Sequence, residues 1–215
     1  MPPTIATMPD CKNQRCGPHP PMARADLGGL PGPAARVKIQ SAAATCRLST
    51  GETLAEASES RVLVLVFLRH FGCTFTRQLL RGLQEIQQLA KSHGAELVLV
   101  HMMPSGAELP YLTGRGEVTR IADPLRELYR AFGLAQGGVR ELLGPRVWWH
   151  GLLSIVKGCG VGHLAGDGRQ MPGVFLYHHD RVLAAQRARS ASDLPDLPRL
   201  FDSLARDEPA APRDV

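Results

Sequence analysis

Residues 61–68 read RVLVLVFL, an apolar run that starts at Val62 and is unbroken to Leu68. A strand sends alternate side chains to opposite faces, so a continuous run predicts a strand covered on both faces, at the centre of a parallel or mixed sheet. Over 75–93 the spacing changes. Leu79, Leu80, Leu83, Ile86, Leu89 and Ala90 recur at three- and four-residue steps among Gln, Arg and Lys, which predicts one amphipathic helix ending at Gly94. Residues 95–102, AELVLVHM, predict a second buried strand and complete a strand–helix–strand unit with a right-handed crossover. Asp123 and Pro124 then open a helix with Leu125, Leu128, Tyr129 and Phe132 on one face, closing near Gly133. Two apolar segments, 174–177 and 182–186, flank His178, His179, Asp180 and Arg181 and predict an antiparallel hairpin. A last helix is expected over about 192–205, its start obscured by Pro195 and Pro198. Residues 137–165 are apolar and punctuated by Gly without a period, and no internal repeat is present. The order predicts an α/β domain: a central mixed β-sheet with helices on both faces.

Composition sets the limits of that domain. Residues 1–34 hold eight of the 17 prolines and no apolar period, so they are expected to form a disordered leader, with the folded domain over 35–206 and a flexible tail, DEPAAPRDV, over 207–215. The net charge is +5, but the 25 Lys and Arg are spread among 20 Asp and Glu, and aromatics are 5% of the chain. Neither a basic stripe nor a stacking platform is visible, so no nucleic-acid partner is expected. The longest apolar stretch, 62–68, is far short of a membrane span, and the first residues lack the apolar core of a secretory signal. No membrane association is expected, and the expected location is the cytoplasm.

Cysteines stand at 11, 16, 46, 73 and 159, an odd number at irregular spacing, which argues against a disulfide scaffold and raises the question of reactive thiols. Cys11, Cys16 and His19 form C-x4-C-x2-H without a fourth ligand, so no metal site is predicted. Cys73 is different, because it sits between the predicted first strand and its helix. At a helix amino terminus unpaired backbone donors and the helix dipole favour a thiolate over a thiol. Arg69, His70 and Arg77 flank it and add positive potential if they face it, and Arg120 and Arg146 are further candidates. His178 and His179 read as a solvated turn rather than metal ligands, and Trp148 and Trp149 as packing residues.

The stretch 66–83, VFLRHFGCTFTRQLLRGL, resembles the active-site segment of peroxiredoxin-like proteins of the AhpC/TSA group, in particular the subgroup related to the selenoprotein SelL: a buried strand, then GCxxC or a selenocysteine variant, then a helix. The similarity continues through 121–134, IADPLRELYRAFGL, and 166–177, GDGRQMPGVFLY, and spans about 47–200. It implies a thioredoxin-like fold and a one-cysteine thiol-dependent oxidoreductase. Cys73 would attack a peroxide or disulfide, and an external thiol, glutathione or a thioredoxin-like protein, would restore it; no cofactor is implied. The alternative is a non-catalytic redox-sensing or binding protein of the same fold. The resemblance further implies that Met171–Pro172 carries a cis peptide facing the active cysteine and lines a substrate site together with Arg69 and His70. The chain departs from the family twice. The second cysteine of GCxxC is Thr76, able to hydrogen-bond the sulfur or to cap the helix, and the Pro and Thr of PxxxTxxC are Val66 and His70. A resolving partner would then be distant, with Cys159 in the segment GCGVGH as the candidate.

Overall fold

The computed structural model describes residues 26–27, 30–134, 136, 169–188 and 196–207. Expectations for Cys11, Cys16, His19, Arg146, Trp148, Trp149, Cys159 and the segment 137–165 fall outside them. Among the described residues six strands form one mixed sheet: β1 (Asp26–Leu27), β2 (Val62–Phe67), β3 (Ala95–His101), β4 (Thr119–Ala122), β5 (Gly173–His178) and β6 (Arg181–Arg187), in the order β1-β6-β5-β2-β3-β4. Strands β2, β3 and β4 are parallel, β5 runs antiparallel to β2, and β6 antiparallel to β5. Strand β1, inside the expected leader, pairs with Arg187 and Gln186 of β6.

The continuous apolar run of β2 is explained by its place. Val64 pairs with Leu97 on one side and Leu176 on the other, and both faces are covered. Leu63, Leu65 and Phe67 point into one core with Val98, Val100, Phe175 and Tyr177, and Val64, Val66 and Leu68 into a second with Leu97, Leu99 and Leu176. The first core is closed by Ile39 of α1 (Pro33–Thr45), Leu54 of α2 (Leu54–Ser60) and Tyr129 of α6 (Glu127–Ala131). The second is closed by Leu80 of α3 (Thr74–Arg81), Leu83 of α4 (Leu83–Ser92), Leu112 of α5 (Leu109–Leu112) and Leu200 of α7, the last helix, over Leu197–Asp207. Helices therefore lie on both faces, as the pattern predicts.

Three elements differ from expectation. The single helix over 75–93 is two, because Gly82 (φ −87°, ψ 14°) ends α3 and begins α4, its amide donating to Leu79 O. Glycine holds the helical conformation weakly, and the bend lets Leu80 and Leu83 enter the same core. The helix expected from Asp123 begins only at Glu127, after Arg126 adopts a left-handed conformation (φ 58°). Arg126 takes the N-cap position, and Asp123 serves the first turn from a distance, its carboxylate accepting hydrogen bonds from the amides of Glu127 (2.8 Å) and Tyr129 (3.2 Å). The last helix starts at Leu197 instead of near 192, with Asp196 accepting from the Arg199 amide at 3.2 Å. The hairpin matches its prediction, with His179 (φ 45°) and Asp180 (φ 53°) forming a left-handed two-residue turn.

Candidate active site

The site is built where β2 leaves the sheet. Leu68 still pairs with β3, its amide donating to Val100 O, and the Tyr129 hydroxyl shares its proton between Leu68 O (2.6 Å) and Val100 O (2.9 Å). Tyr129 is fully buried, so this clamp on the carboxyl ends of β2 and β3 is shielded from water. Beyond it the chain turns, the Cys73 amide donating to His70 O at 2.9 Å, and Cys73 becomes the N-cap of α3 with extended backbone (φ −70°, ψ 129°). The predicted strand-to-helix position of Cys73 is thus observed.

The sulfur has a specific partner. Arg69 Nη1 donates to Cys73 Sγ at 3.3 Å, while its Nε donates to the backbone carbonyl of Gln170 at 3.1 Å. Arg69 and Cys73 are 7% and 6% exposed, so the guanidinium faces the sulfur in a site of low dielectric. Gln170 is itself held, its Nε2 donating to Leu134 O at 3.2 Å. A residue 101 positions away therefore aims Arg69. Gln170 was not among the sequence candidates; its adjacency to Met171–Pro172 was the available signal.

The other candidates divide. His70, Thr76 and Met171 are buried, and Pro172 half-buried. Thr76 lies one turn into α3, while the Cys73 sulfur accepts its hydrogen bond from Arg69 and makes no cap bond to the first turn of the helix. The Met171–Pro172 peptide is trans, a correction to the expected cis bond, since the described residues contain no cis peptide. Pro172 O accepts from the Ala188 amide at 3.2 Å, so the proline enters the β5–β6 ladder in the extended form that a trans bond allows. Gly173 follows because a β-carbon there would lie 2.7 Å from Leu134 Cδ2 and 3.3 Å from Gln186 O.

Arg120 is engaged elsewhere, its Nε donating to Glu108 Oε1 at 2.6 Å. At Cys46, the other described cysteine, burial and the nearby Asp123 push the thiol up to about 11, which leaves it protonated at neutral pH. No cluster of three metal-ligating side chains occurs among the described residues, and His179 Nδ1 pairs with Glu59 Oε2 at 2.9 Å on the exposed hairpin turn. No described helix is long and apolar enough to cross a membrane.

No protein-family model and no curated protein matches the chain. Solved structures do. A cysteine-to-serine mutant of the peroxiredoxin 6 of Arenicola marina aligns with TM-score 0.51 at 14% identity, over 74% of this chain and 67% of that one. A cysteine-to-serine mutant of PrxQ from Xylella fastidiosa aligns with TM-score 0.48 at 14% identity, over 86% and 96% of the two chains. The bacterioferritin comigratory protein of Xanthomonas campestris aligns with TM-score 0.46 at 17% identity, over 85% and 96%. The sheet order, the helices on both faces and the first of these alignments show a thioredoxin-like fold of the peroxiredoxin type.

Proposed function

We propose that this protein is a one-cysteine thiol-dependent oxidoreductase, related to the SelL subgroup, in which Cys73 reduces a peroxide or a disulfide in the cytoplasm. The observation that carries this is the buried Arg69 guanidinium donating to Cys73 Sγ at the start of α3, at the carboxyl end of the central strand. With a peroxide, the Cys73 thiolate attacks the terminal oxygen, the S–O bond forms as the O–O bond breaks, and the leaving alkoxide or hydroxide takes a proton from water. Sulfur is oxidised to a sulfenic acid and the peroxide reduced to an alcohol or water. An external thiol then condenses with the sulfenic acid, releasing water, and a second thiol displaces the first as a disulfide and restores Cys73. Glutathione or a thioredoxin-like protein fits this role. Arg69 stabilises the negative sulfur before attack; Met171, Pro172 and His70 border the approach, and Thr76 presents a hydroxyl one turn along α3.

Because Thr76 replaces a second cysteine, oxidised Cys73 is expected to be captured from outside. Wild type treated with peroxide and glutathione should gain one glutathione adduct, mapped to Cys73 by intact-mass and peptide analysis. Thr76→Cys should instead form a fast internal disulfide, since the i and i+3 positions of a helix start lie on one face. A Cys73–Cys159 disulfide in most wild-type molecules would overturn the one-cysteine cycle and leave the redox assignment standing. The second reading, a redox sensor without useful turnover, is favoured by the 6% exposure of Cys73. Steady peroxide consumption with excess glutathione distinguishes the two: a single turnover that stops would support the sensor.

A further inference from the structure

His101 ends β3 and stands against the Cys73 loop. Its ring centroid lies 5.8 Å from that of Phe71, which in turn stacks on Tyr111 at 4.8 Å and 26°. Phe71 is buried and precedes Cys73 by two residues, so the seat of its ring sets where the turn to Cys73 begins. On its other side His101 faces Glu108, with Nε2 at 3.9 Å from Oε2; each residue is 1% exposed. That gap exceeds the ~2.9 Å of an N–H···O hydrogen bond. Glu108 Oε2 and the His101 Nε2 that faces it have no hydrogen-bond partner, while Glu108 Oε1 accepts from Arg120. Two buried polar atoms thus face each other unsatisfied, which a folded protein tolerates only for a reason.

The charges around the pair are few. Burial lowers the affinity of His101 for a proton and Arg120 of β4 lowers it further, while Glu108 and the Met103 carbonyl oppose them. Burial pushes the Glu108 carboxyl up, but the Arg120 hydrogen bond, its own backbone amide and nearby positive charge outweigh it, so Glu108 is a carboxylate at neutral pH. Asp123, whose amide donates to His101 O at 2.7 Å, spends its carboxylate on the amides of α6. Across a cavity of about 410 Å³ stand Cys46, protonated, and Glu127. From the loop side Phe71 brings no charge and Tyr111 only its phenol.

We propose that His101 is a positioning residue for Cys73 that works as a proton-operated latch: neutral, it seats Phe71; protonated, it turns to donate Nε2–H to Glu108 Oε2, Phe71 loses its seat and Cys73 reacts more slowly. The inference deepens the redox reading of Cys73, but its test needs no peroxide. The sign is set by burial. The folded state binds the His101 proton more weakly than the unfolded state, whose value is about 6.5, so stability falls as pH drops below that value and continues to fall until the folded-state group has titrated.

The test uses the full chain with Cys11, Cys16, Cys46 and Cys159 replaced by Ser. The rate of iodoacetamide alkylation, divided by the thiolate fraction read from absorbance, is followed between about pH 5 and 7.5 alongside the His101 ring signal in NMR spectra. The rate per thiolate should fall roughly fivefold as His101 gains its proton, with the same midpoint. Glu108→Gln keeps an acceptor for Arg120 and removes the anion that captures the imidazolium, and should abolish the fall. A rate per thiolate that stays flat while His101 titrates would overturn the latch. So would a His101 that does not titrate in this range, or a fall that survives Glu108→Gln unchanged. Failure to consume peroxide at any pH would instead overturn the oxidoreductase reading and leave this measurement intact.

Discussion

Arg69→Met should slow both alkylation and peroxide oxidation of Cys73 by roughly ten- to a hundredfold at neutral pH, and Cys73→Ser should abolish both. Methionine keeps the length and apolar stem of the side chain but removes the donation to Cys73 Sγ at 3.3 Å and to Gln170 O at 3.1 Å. Hydrogen bonds to charged groups contribute about 1.5–3 kcal/mol, and each ~1.4 kcal/mol is a factor of ten, which sets the range. Arg69→Lys should recover only part of the rate, since one ammonium lacks the planar fork that reaches the Gln170 carbonyl and the sulfur together. Stopped-flow alkylation measures the effect, with far-ultraviolet circular dichroism reporting that the fold is kept. A folded Arg69→Met protein that reacts as fast as wild type would remove Arg69 from the site.

The largest loss of stability is expected at Phe67. Its ring, 1% exposed, meets Tyr129 edge-on at 5.0 Å, Phe175 edge-on at 5.4 Å and Phe132 at 5.1 Å, all in one core. Phe67→Ala should cost about 3–5 kcal/mol, a large share of the roughly 5–15 kcal/mol that holds a domain folded. The upper part of the range applies here because Phe67 is paired with Val100 on one side and Gly173 on the other, so the sheet cannot collapse into the space. The midpoint of urea unfolding at unchanged slope measures this. Since Tyr129 packs on the same ring and clamps Leu68 O and Val100 O, the variant should also alkylate more slowly at Cys73 under conditions where it remains folded. A loss below about 1 kcal/mol would show that the four rings do not act as one packed unit.

The clearest elements in the sequence were those whose signal is local. Strand β2 showed as VLVLVF because both its faces are buried, the β5–β6 turn showed as polar residues between two apolar segments, and the helical spacing from Leu79 to Ala90 showed at three- and four-residue steps. Cys73 was found in the same way, because the junction of a strand and a helix can be located from the two periodicities that meet there. Elements that bury little of themselves were missed. Helix α1 buries Ile39 and Ala43 and strand β4 only Ile121, too few positions to set a period, and both exist because other elements receive those residues. The break at Gly82 and the late start of α6 behind Arg126 were likewise decided by packing.

Within the site the division is the same. That Cys73 caps a helix follows from its neighbours in the chain, whereas the hydrogen bond on its sulfur required Arg69 to be aimed by a carbonyl 101 residues away, and the expected cis bond at Pro172 gave way to a trans entry into the β5–β6 ladder. Periodicity and turn chemistry are properties of a few consecutive residues, so the sequence by itself determined the central strand, the hairpin and the place of the reactive cysteine. Hydrogen-bond partners in a buried site are chosen by which distant groups the folded sheet leaves within reach, so only the tertiary structure decided what Cys73 and His101 face.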